Sequence, residues 1–335
     1  MDIIQVVDAV LPAVRYGGTE RVVWALAREL VRAGHRVTFL ARAGSVCDFA
    51  EVVVRDDRPL AEQIAAIGGD IVHLHEGRGI FTDEERAAMK LPSVTTVHGN
   101  VSGEIGENAI FVSRNHAERH GARTYVYNGL DWDEYAAPDL GGFSGRRYFH
   151  FLAKAAWRVK NVQGAIDVVR GLPDGRLRVL GGTRLNFKMG FRFTIPPPPC
   201  VRFFGMVDQR QKSFHLRGSR GLIFPVKWHE PFGLAVTESL WFGMPVFCTP
   251  YGSLPELVVP EVGALSASAS ELRERLLQWN AYSPRICHEY ARDLFNSQVM
   301  AERYLACYER VSGGGTLNDG RSFACDTACR LPFCE

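Results

Sequence analysis

The sequence predicts an α/β fold of two Rossmann-like domains with parallel sheets. Three observations predict it. An apolar strand leads through a glycine turn into an amphipathic helix and a second strand, which is a βαβ unit. Strands and helices then alternate in both halves. A stretch with Pro138, Gly141, Gly142 and Gly145 separates the halves. The chain has 335 residues, enough for two domains of ordinary size.

Ile3 to Ala9 reads as the first strand. Tyr16-Gly17-Gly18-Thr19-Glu20 opens a helix to about Ala33, with Val22, Val23, Leu26, Leu30 and Val31 on its core face. Arg36 to Leu40 is the next strand. The glycines do not form G-x-G-x-x-G, so no dinucleotide is inferred. Gly17 fits a tight turn, and Gly18 fits close approach of backbone to a ligand. Arg21, Arg28 and Arg32 share a helix face, followed by Arg36. A solvated face is the plain reading; weak peripheral contact with an anionic membrane is the sharper one.

Asp70 to His75 and Pro92 to Val97 are further strands, running into His75-Glu76-Gly77 and His98-Gly99-Asn100. The C-terminal ends of such strands face the ligand crevice of an open α/β sheet. A strand-end histidine there is a candidate binding or acid–base group; His98 is read so, while His75 is left undecided. Strands at 109–113 and 124–127 complete the half, closing on Asn128-Gly129-Leu130-Asp131. Asp131-Trp132-Asp133 is formally D-x-D, but it falls in the turn after a strand and reads as turn chemistry, with no metal expected. Residues 131–147 are the expected linker. The expected division is residues 1–147, a first domain; 148–296, a second; 297–312, a helix; and 313–335, a flexible tail.

The second sheet starts at Tyr148 and runs into Lys154, Trp157, Arg158 and Lys160. Leu177 to Leu180 ends in Gly181-Gly182, a turn suited to close backbone approach. Residues 183–199 form a basic, aromatic loop ending in four prolines. Val201 to Val207 follows, and Gly221 to Val226 is the strand before the most informative stretch, His229-Glu230-Pro231-Phe232-Gly233-Leu234-Ala235-Val236-Thr237-Glu238-Ser239-Leu240.

Pro231 suits a first helical position. Phe232, Gly233 and Leu234 would present amides at a helix N-terminus, which favours an anion. Glu238 lies among Val236, Leu240 and Trp241, where a carboxylate needs hydrogen-bond donors. Two glutamates flanking a phosphate-ready turn suit a ligand with both hydroxyls and phosphate, such as a nucleotide sugar; the spacing alone is equally met by a solvated Glu on an ordinary helix.

The ordered set of motifs resembles retaining glycosyltransferases of GT-B fold, glycosyltransferase family 4, over roughly residues 1–311. Glu230 to Glu238 resembles the family's E-x7-E donor motif, Gly17 to Glu20 its G-G-x-E loop, and His98 its histidine after the T-V-H strand. Asn128 to Asp131 resembles the N-G-x-D close of the first domain. Phe203 to Val207 resembles F-x-G-x-V, and Gly252 to Glu256 resembles G-x-x-P-E, where Glu256 is structural. Lys154 and Lys160 stand where the family has Arg and Lys. Lysine neutralises phosphate as a point charge without the bidentate fork, and one such contact at ~4 Å contributes about 4 kcal/mol at an effective dielectric of 20, before desolvation. Arg158 is an alternative cation.

The resemblance implies transfer of a sugar from a nucleotide diphosphate sugar to an acceptor hydroxyl with retention. It also implies that the two domains face each other across a cleft, that the first binds the acceptor and the second the donor, and that the helix at 297–312 returns to the first domain. Lys154, Lys160, Glu230 and His98 would be catalytic, and Gly18, Val207, Glu230, Phe232, Gly233, Leu234 and Glu238 would bind the donor. Glu230 would hold the sugar hydroxyls, Glu238 the ribose, and the backbone near Val207 would face the base. No cofactor or metal is implied. The acceptor would be a glycan, a lipid-linked or a small molecule, in glycan, polysaccharide or lipopolysaccharide synthesis. A GT-B nucleotide-sugar 2-epimerase and a non-catalytic nucleotide-sugar binder are the alternatives.

Charge agrees with that division. Residues 1–148 carry 16 basic and 21 acidic side chains, a net of −5, and residues 149–335 carry 23 and 16, a net of +7. The more basic half holds the anion-ready turn, and no nucleic-acid partner is expected. No apolar run approaches a membrane span, and the N-terminus reads as a strand rather than a signal peptide. Of eight cysteines, those at 47, 200, 248, 287 and 307 read as small core residues. Cys325, Cys329 and Cys334 fall in the tail, open to a metal or a disulfide but without a histidine. The cytoplasm, at most at the inner face of the membrane, is the expected location.

Overall fold

Alternation in two strands decides how the first sheet is covered. Ile4, Val6, Val72 and Leu74 join one apolar cluster with Leu40, Leu60 and Ile64, so His73 and His75, one residue out of phase, turn to the opposite face. The computed structural model describes residues 1–13, 17–76, 83–101, 104–183, 185–186, 192–193, 200–320 and 330–334. Tyr16, Gly77, Cys325, Cys329 and most of the 183–199 loop lie outside the described residues.

The chain divides into two units, Met1–Trp132 with Phe295–Thr327, and Asp133–Leu294 with Ala328–Glu335. The first contains β1 (Asp2–Val7), α1 (Gly18–Arg32), β2 (Arg36–Ala41), β3 (Glu51–Val54), α2 (Leu60–Ile67), β4 (Ile71–Glu76), α3 (Asp83–Ala88), β5 (Ser93–Val97), β6 (Ala109–Phe111) and α4 (Arg114–Arg119). Its six strands are parallel in the order β3-β2-β1-β4-β5-β6. Thr124 to Tyr127 does not form the expected strand. It touches the sheet at one bridge, Phe111↔Tyr125, because β6 is only three residues long.

The second unit repeats the pattern with β7 (Tyr148–Leu152), α5 (Val162–Arg170), β8 (Leu177–Leu180), β9 (Leu185–Asn186), β10 (Arg192–Phe193), β11 (Val201–Phe203), α6 (Gln209–Arg217), β12 (Ser219–Phe224), α7 (Leu234–Trp241), β13 (Val246–Cys248), α8 (Leu254–Leu257), β14 (Gly263–Leu265), α9 (Ala269–Leu277) and α10 (Pro284–Leu294). Its parallel sheet runs β11-β8-β7-β12-β13-β14, and β9 pairs with β10 as a separate antiparallel pair within residues 183–199. In both sheets the strand order reverses beside the first strand, between β1 and β4 and between β7 and β12. Ligands of such sheets bind at that switch point, beyond the strand C-termini.

The chain then returns to the first unit as α11 (Ser297–Ser312). Tyr304 and Tyr308 are fully buried against the histidine face of the sheet: Tyr308 Oη lies 2.6 Å from His73 Nδ1, and Tyr304 Oη lies 2.9 Å from Thr96 Oγ1. Gly129 is fixed by this return, since a Cβ there would collide with the Asn296 carbonyl.

Two expected boundaries move. Residues 133–147 fold with the second unit: Arg146 Nη1 donates to the Gly243 carbonyl at 3.2 Å, and Trp241 Nε1 to the Ala136 carbonyl at 3.4 Å. The chain beyond Gly313 is not a loose tail at either described end. Asn318 accepts from the amides of Arg123 and Thr124 at 3.1 and 3.0 Å and donates to the carbonyls of Glu107 and Ala109 at 2.9 and 2.8 Å. Leu331 N donates to the Lys227 carbonyl at 3.0 Å, and Cys334 pairs with Ser268. Glycine and polar composition lowers intrinsic order, but hydrogen bonds to buried backbone override it.

Candidate functional site in the second unit

The loop after β7 is shaped by glycine. Gly181 has φ +118°, and a Cβ there would collide with the Ala153 carbonyl; Gly182 sits against Ala155. The Gly181-Gly182 turn thus packs closely on protein backbone, and it positions Lys154 between the two residues it contacts. The Lys154 ammonium lies 5.1 Å from the Trp157 ring centre. A short 3-10 turn, Arg158–Lys160, follows. Asn161 then takes a left-handed conformation, caps α5 through Gly164 N at 3.1 Å and donates to the Pro225 carbonyl at 2.9 Å. Asn161 thereby ties the Lys160 turn to the loop after β12, across the switch point.

Lys160 and Glu230 meet there. The Lys160 ammonium donates to Glu230 Oε1 at 2.7 Å and Oε2 at 2.5 Å, and Trp228 Nε1 donates to Oε2 at 2.7 Å. The Lys160 ammonium also lies 4.7 Å from the Trp228 ring centre and 5.3 Å from that of Phe224. Lys160 is 8% exposed and Glu230 6%, so neither charge would be tolerated alone. Of the three ammonium donors, two are engaged by the carboxylate and one remains for a further acceptor. Arg158 is exposed on the same turn.

Glu230 is held from behind. Its backbone bridges Gly252, and its carbonyl accepts from Ser253 N at 2.9 Å. Gly252 has φ +67°, and a Cβ would collide with the Glu230 backbone. Gly252 and Ser253 are therefore a brace for Glu230.

The helix begins later than Pro231 suggests. Gly233 is the N-cap at φ +97°, without a side-chain cap, and Leu234 is the first helical residue. Pro231 lies in the loop, and the Phe232 carbonyl accepts from Ser253 Oγ at 2.5 Å. The amides at the helix start are those of Gly233 and Leu234, with Phe232 one residue ahead of the cap. An N-terminus without a side-chain cap favours an anion.

Glu238 is buried as expected, at 2% exposure, but its donors come from the protein. Tyr135 Oη donates to Oε1 at 2.7 Å, and the Lys212 ammonium pairs with the same oxygen. Lys212 is 6% exposed. Sequence reasoning missed both partners. Lys212 lies in the polar helix Gln209–Arg217, and Tyr135 in the expected linker, so neither had a local signal. It also missed Trp228 and His150; the two ring nitrogens of His150 lie 2.6 Å from Ser219 Oγ and 2.8 Å from Ser239 Oγ, tying α7 to the sheet. Burial pushes the His150 pKa down to about 3, so the ring is neutral. Val207 is buried in the segment whose Gly205 exchanges backbone hydrogen bonds with Gly181 and Gly182.

The candidates of the first unit are His98 and Gly18. His98 follows β5, and its Nε2 lies 3.1 Å from His75 Nδ1. Its surroundings push its pKa down to about 3, although part of its surface stays accessible. The next residue, Gly99, accepts from His116 Nε2 at 3.1 Å, which holds the turn. Gly18 is the first residue of α1. Gly17 just before it is sterically restricted, since a Cβ would lie 2.6 Å from Glu20 Oε2 and 2.8 Å from Ala13 Cβ. The helix-face arginines are engaged internally: Arg28 and Arg32 with Asp131, both at 3.4 Å, and Arg36 with Asp2. A cavity of about 250 Å³ lined by Asp2, Arg36, Thr38 and Gln63 lies at the N-terminal ends of β1 and β2, away from the strand ends that carry the candidates. Among the described residues no cluster of metal-ligating side chains is present, and no helix is long and apolar enough to cross a membrane.

Comparison with known proteins follows the same division. Residues 16–137 match the family described as Glycosyltransferase Family 4, and residues 139–292 match Glycosyl transferases group 1. An uncharacterized 41.2 kDa protein in the cps region of Klebsiella pneumoniae is 24% identical over 117 residues, which span 32% of this chain and 32% of that relative. Among solved structures, AviGT4, a glycosyltransferase involved in avilamycin A biosynthesis, is 20% identical with a TM-score of 0.78, covering 95% of this chain and 99% of that one. Sucrose-phosphate synthase from Thermosynechococcus elongatus is 17% identical with a TM-score of 0.74, covering 94% and 100%. Anabaena Alr3699/HepE, solved with UDP-glucose, is 17% identical with a TM-score of 0.66, covering 92% and 99%. The fold is therefore that of GT-B proteins, with two Rossmann-like domains.

Proposed function

We propose that this chain, whose residues 16–137 match Glycosyltransferase Family 4 and 139–292 match Glycosyl transferases group 1, is a glycosyltransferase that moves a sugar from a nucleotide diphosphate sugar to an acceptor hydroxyl with retention. The observation that carries the reading is the buried Lys160–Glu230 pair at the switch point of the second sheet, next to a helix start without a side-chain cap.

In this reading the donor diphosphate meets Lys154, the third donor of Lys160 and the amides of Gly233 and Leu234, with Phe232 beside them. Negative charge grows on the leaving phosphate as the glycosidic bond breaks, and fixed donors aimed at that charge supply most of the protein's contribution. Glu230, oriented by Lys160 and Trp228, accepts from donor-sugar hydroxyls. Glu238, oriented by Tyr135 and Lys212, accepts from the ribose. The backbone near Val207 faces the base. The family resemblance assigns Gly18 to the donor phosphates and His98 to the sugar. No metal or cofactor is required by these roles. The cps-region relative lends support to a polysaccharide setting; in this reading the acceptor is a glycan, a lipid-linked or a small molecule, and the location is the cytoplasm.

The test is a thermal-shift screen of UDP-, GDP-, ADP- and TDP-sugars on the wild type and on Lys154→Ala with Glu230→Gln. HepE was solved with UDP-glucose, which places UDP-sugars first in the screen. Stabilisation by one nucleotide class, lost in the variant, supports the donor site; no shift with any of them overturns it. Turnover without acceptor would redirect the reading to a nucleotide-sugar 2-epimerase, and binding without any turnover to a non-catalytic binder. The anomeric configuration of the first product, read by proton NMR, tests retention.

A further inference from the structure

His75, outside the roles assigned above, is 3% exposed at the end of β4. β4 and β5 are neighbours with His75 opposite Thr96, so His75 and His98 approach each other beyond the strand ends. Their ring centres are 5.4 Å apart with planes 29° from parallel, and His75 Nδ1 lies 3.1 Å from His98 Nε2. A single proton occupies that contact, on one nitrogen or the other.

The rest of the cluster decides which. His73 packs against His75 with ring centres 3.9 Å apart and planes tilted by 38°. It is itself anchored at both nitrogens, by Tyr308 Oη at 2.6 Å and Thr96 Oγ1 at 2.7 Å. Burial, and the neighbouring imidazoles, lower the pKa values of His73 and His75, so each ring carries one N–H. His75 Nε2 is buried with no hydrogen-bond partner among the described residues. Buried N–H groups are left without acceptors less often than acceptors are left without donors. Nε2 of His75 is then the bare nitrogen, and its proton sits on Nδ1, donated to His98 Nε2. His98 must carry its own proton on Nδ1.

We propose that His75 is a positioning residue that locks His98 in its Nδ1–H tautomer, so that His98 offers a hydrogen-bond donor to an oxygen of the bound sugar. This rests on the sugar contact given to His98 above, and it makes that contact selective. An oxygen acceptor at that sugar position is recognised, and a deoxy position leaves the N–H unmatched.

The experiment has two arms. Long-range proton–nitrogen NMR of the ¹⁵N-histidine-labelled wild type at pH 7.5 should show His98 with Nδ1 protonated and Nε2 bare. In His75→Phe, which removes the donor, the Nε2–H form should grow. Finding His98 protonated at Nε2 in the wild type overturns the proposal whatever the protein's activity, so this arm stands even if no nucleotide sugar is turned over. The second arm is steady-state transfer by His75→Phe, His98→Ala and the double variant. Each single variant should lose at least tenfold in kcat/KM, and the double variant should lose no more than His98→Ala alone. His75→Gln, whose amide can donate to Nε2, should recover part of the loss. Additive losses in the double variant would show that His75 acts on folding or elsewhere, and would overturn the positioning role. Should His75→Phe fail to fold, the wild-type spectrum and His75→Gln carry the test.

Discussion

The Lys160 ammonium lies within 2.7 Å of one oxygen of Glu230 and 2.5 Å of the other, with both residues almost completely buried. Removing one partner strands the other charge in a low-dielectric site. Lys160→Met and Glu230→Leu should each destabilise the protein by about 3–5 kcal/mol, and the double variant should recover much of that loss. Urea unfolding of the four proteins checks this; additive losses would mean that the pair is not coupled.

Glu238 gives a graded version of the same test. Tyr135→Phe removes one hydrogen bond to a buried carboxylate and should cost about 1.5–3 kcal/mol. Lys212→Met removes the countercharge and should cost about 3–5 kcal/mol. If Glu238 holds the ribose, Tyr135→Phe should also raise the donor KM more than it lowers kcat, as steady-state kinetics with the identified donor will show.

Gly252 braces Glu230 with a left-handed backbone and no room for a side chain. Gly252→Ala should destabilise by about 2 kcal/mol or more, combining backbone strain with collision. Gly314→Ala is the control: φ is +82°, but a Cβ there would meet nothing within 4 Å, so only the conformational cost of about 1 kcal/mol applies. Equal losses in thermal melts would remove the bracing role.

Acid should weaken the fold through its neutral histidines. Burial holds the pKa values of His116 and His150 at about 3, below the ordinary value near 6.5. The unfolded chain therefore binds more protons between these values. The stability due to neutral burial is complete above pH ~6.5 and is lost as pH falls toward 3, at up to about 1.4 kcal/mol per pH unit for each ring. Urea midpoints between pH 7.5 and 5 should fall steadily, and His150→Gln should flatten the decline. A midpoint independent of pH would contradict neutral burial.

Asn318 makes four hydrogen bonds to the backbone of the first unit. Asn318→Ala leaves those groups to find other partners and should cost about 2 kcal/mol. Hydrogen exchange at the amides of Arg123 and Thr124 should accelerate; unchanged exchange would return this segment to the status of a loose tail.

Much of this protein was legible residue by residue. Short apolar runs and glycine turns marked most of the strands of both sheets, and Glu230 to Glu238 marked the helix and its two buried carboxylates, because these signals are local. Register, capping and loop geometry moved the details: the helix starts at Leu234 rather than Pro231 because a left-handed Gly233 caps it. What the tertiary structure alone decided is which side chains satisfy the buried charges. Lys212 and Tyr135 are 26 and 103 residues from Glu238 along the chain, and His75 and His98 are 23 residues apart. Sequence can show that a buried carboxylate or imidazole needs a partner. The partner is chosen by strand order and loop closure, which bring distant residues together and leave no periodic trace in the chain.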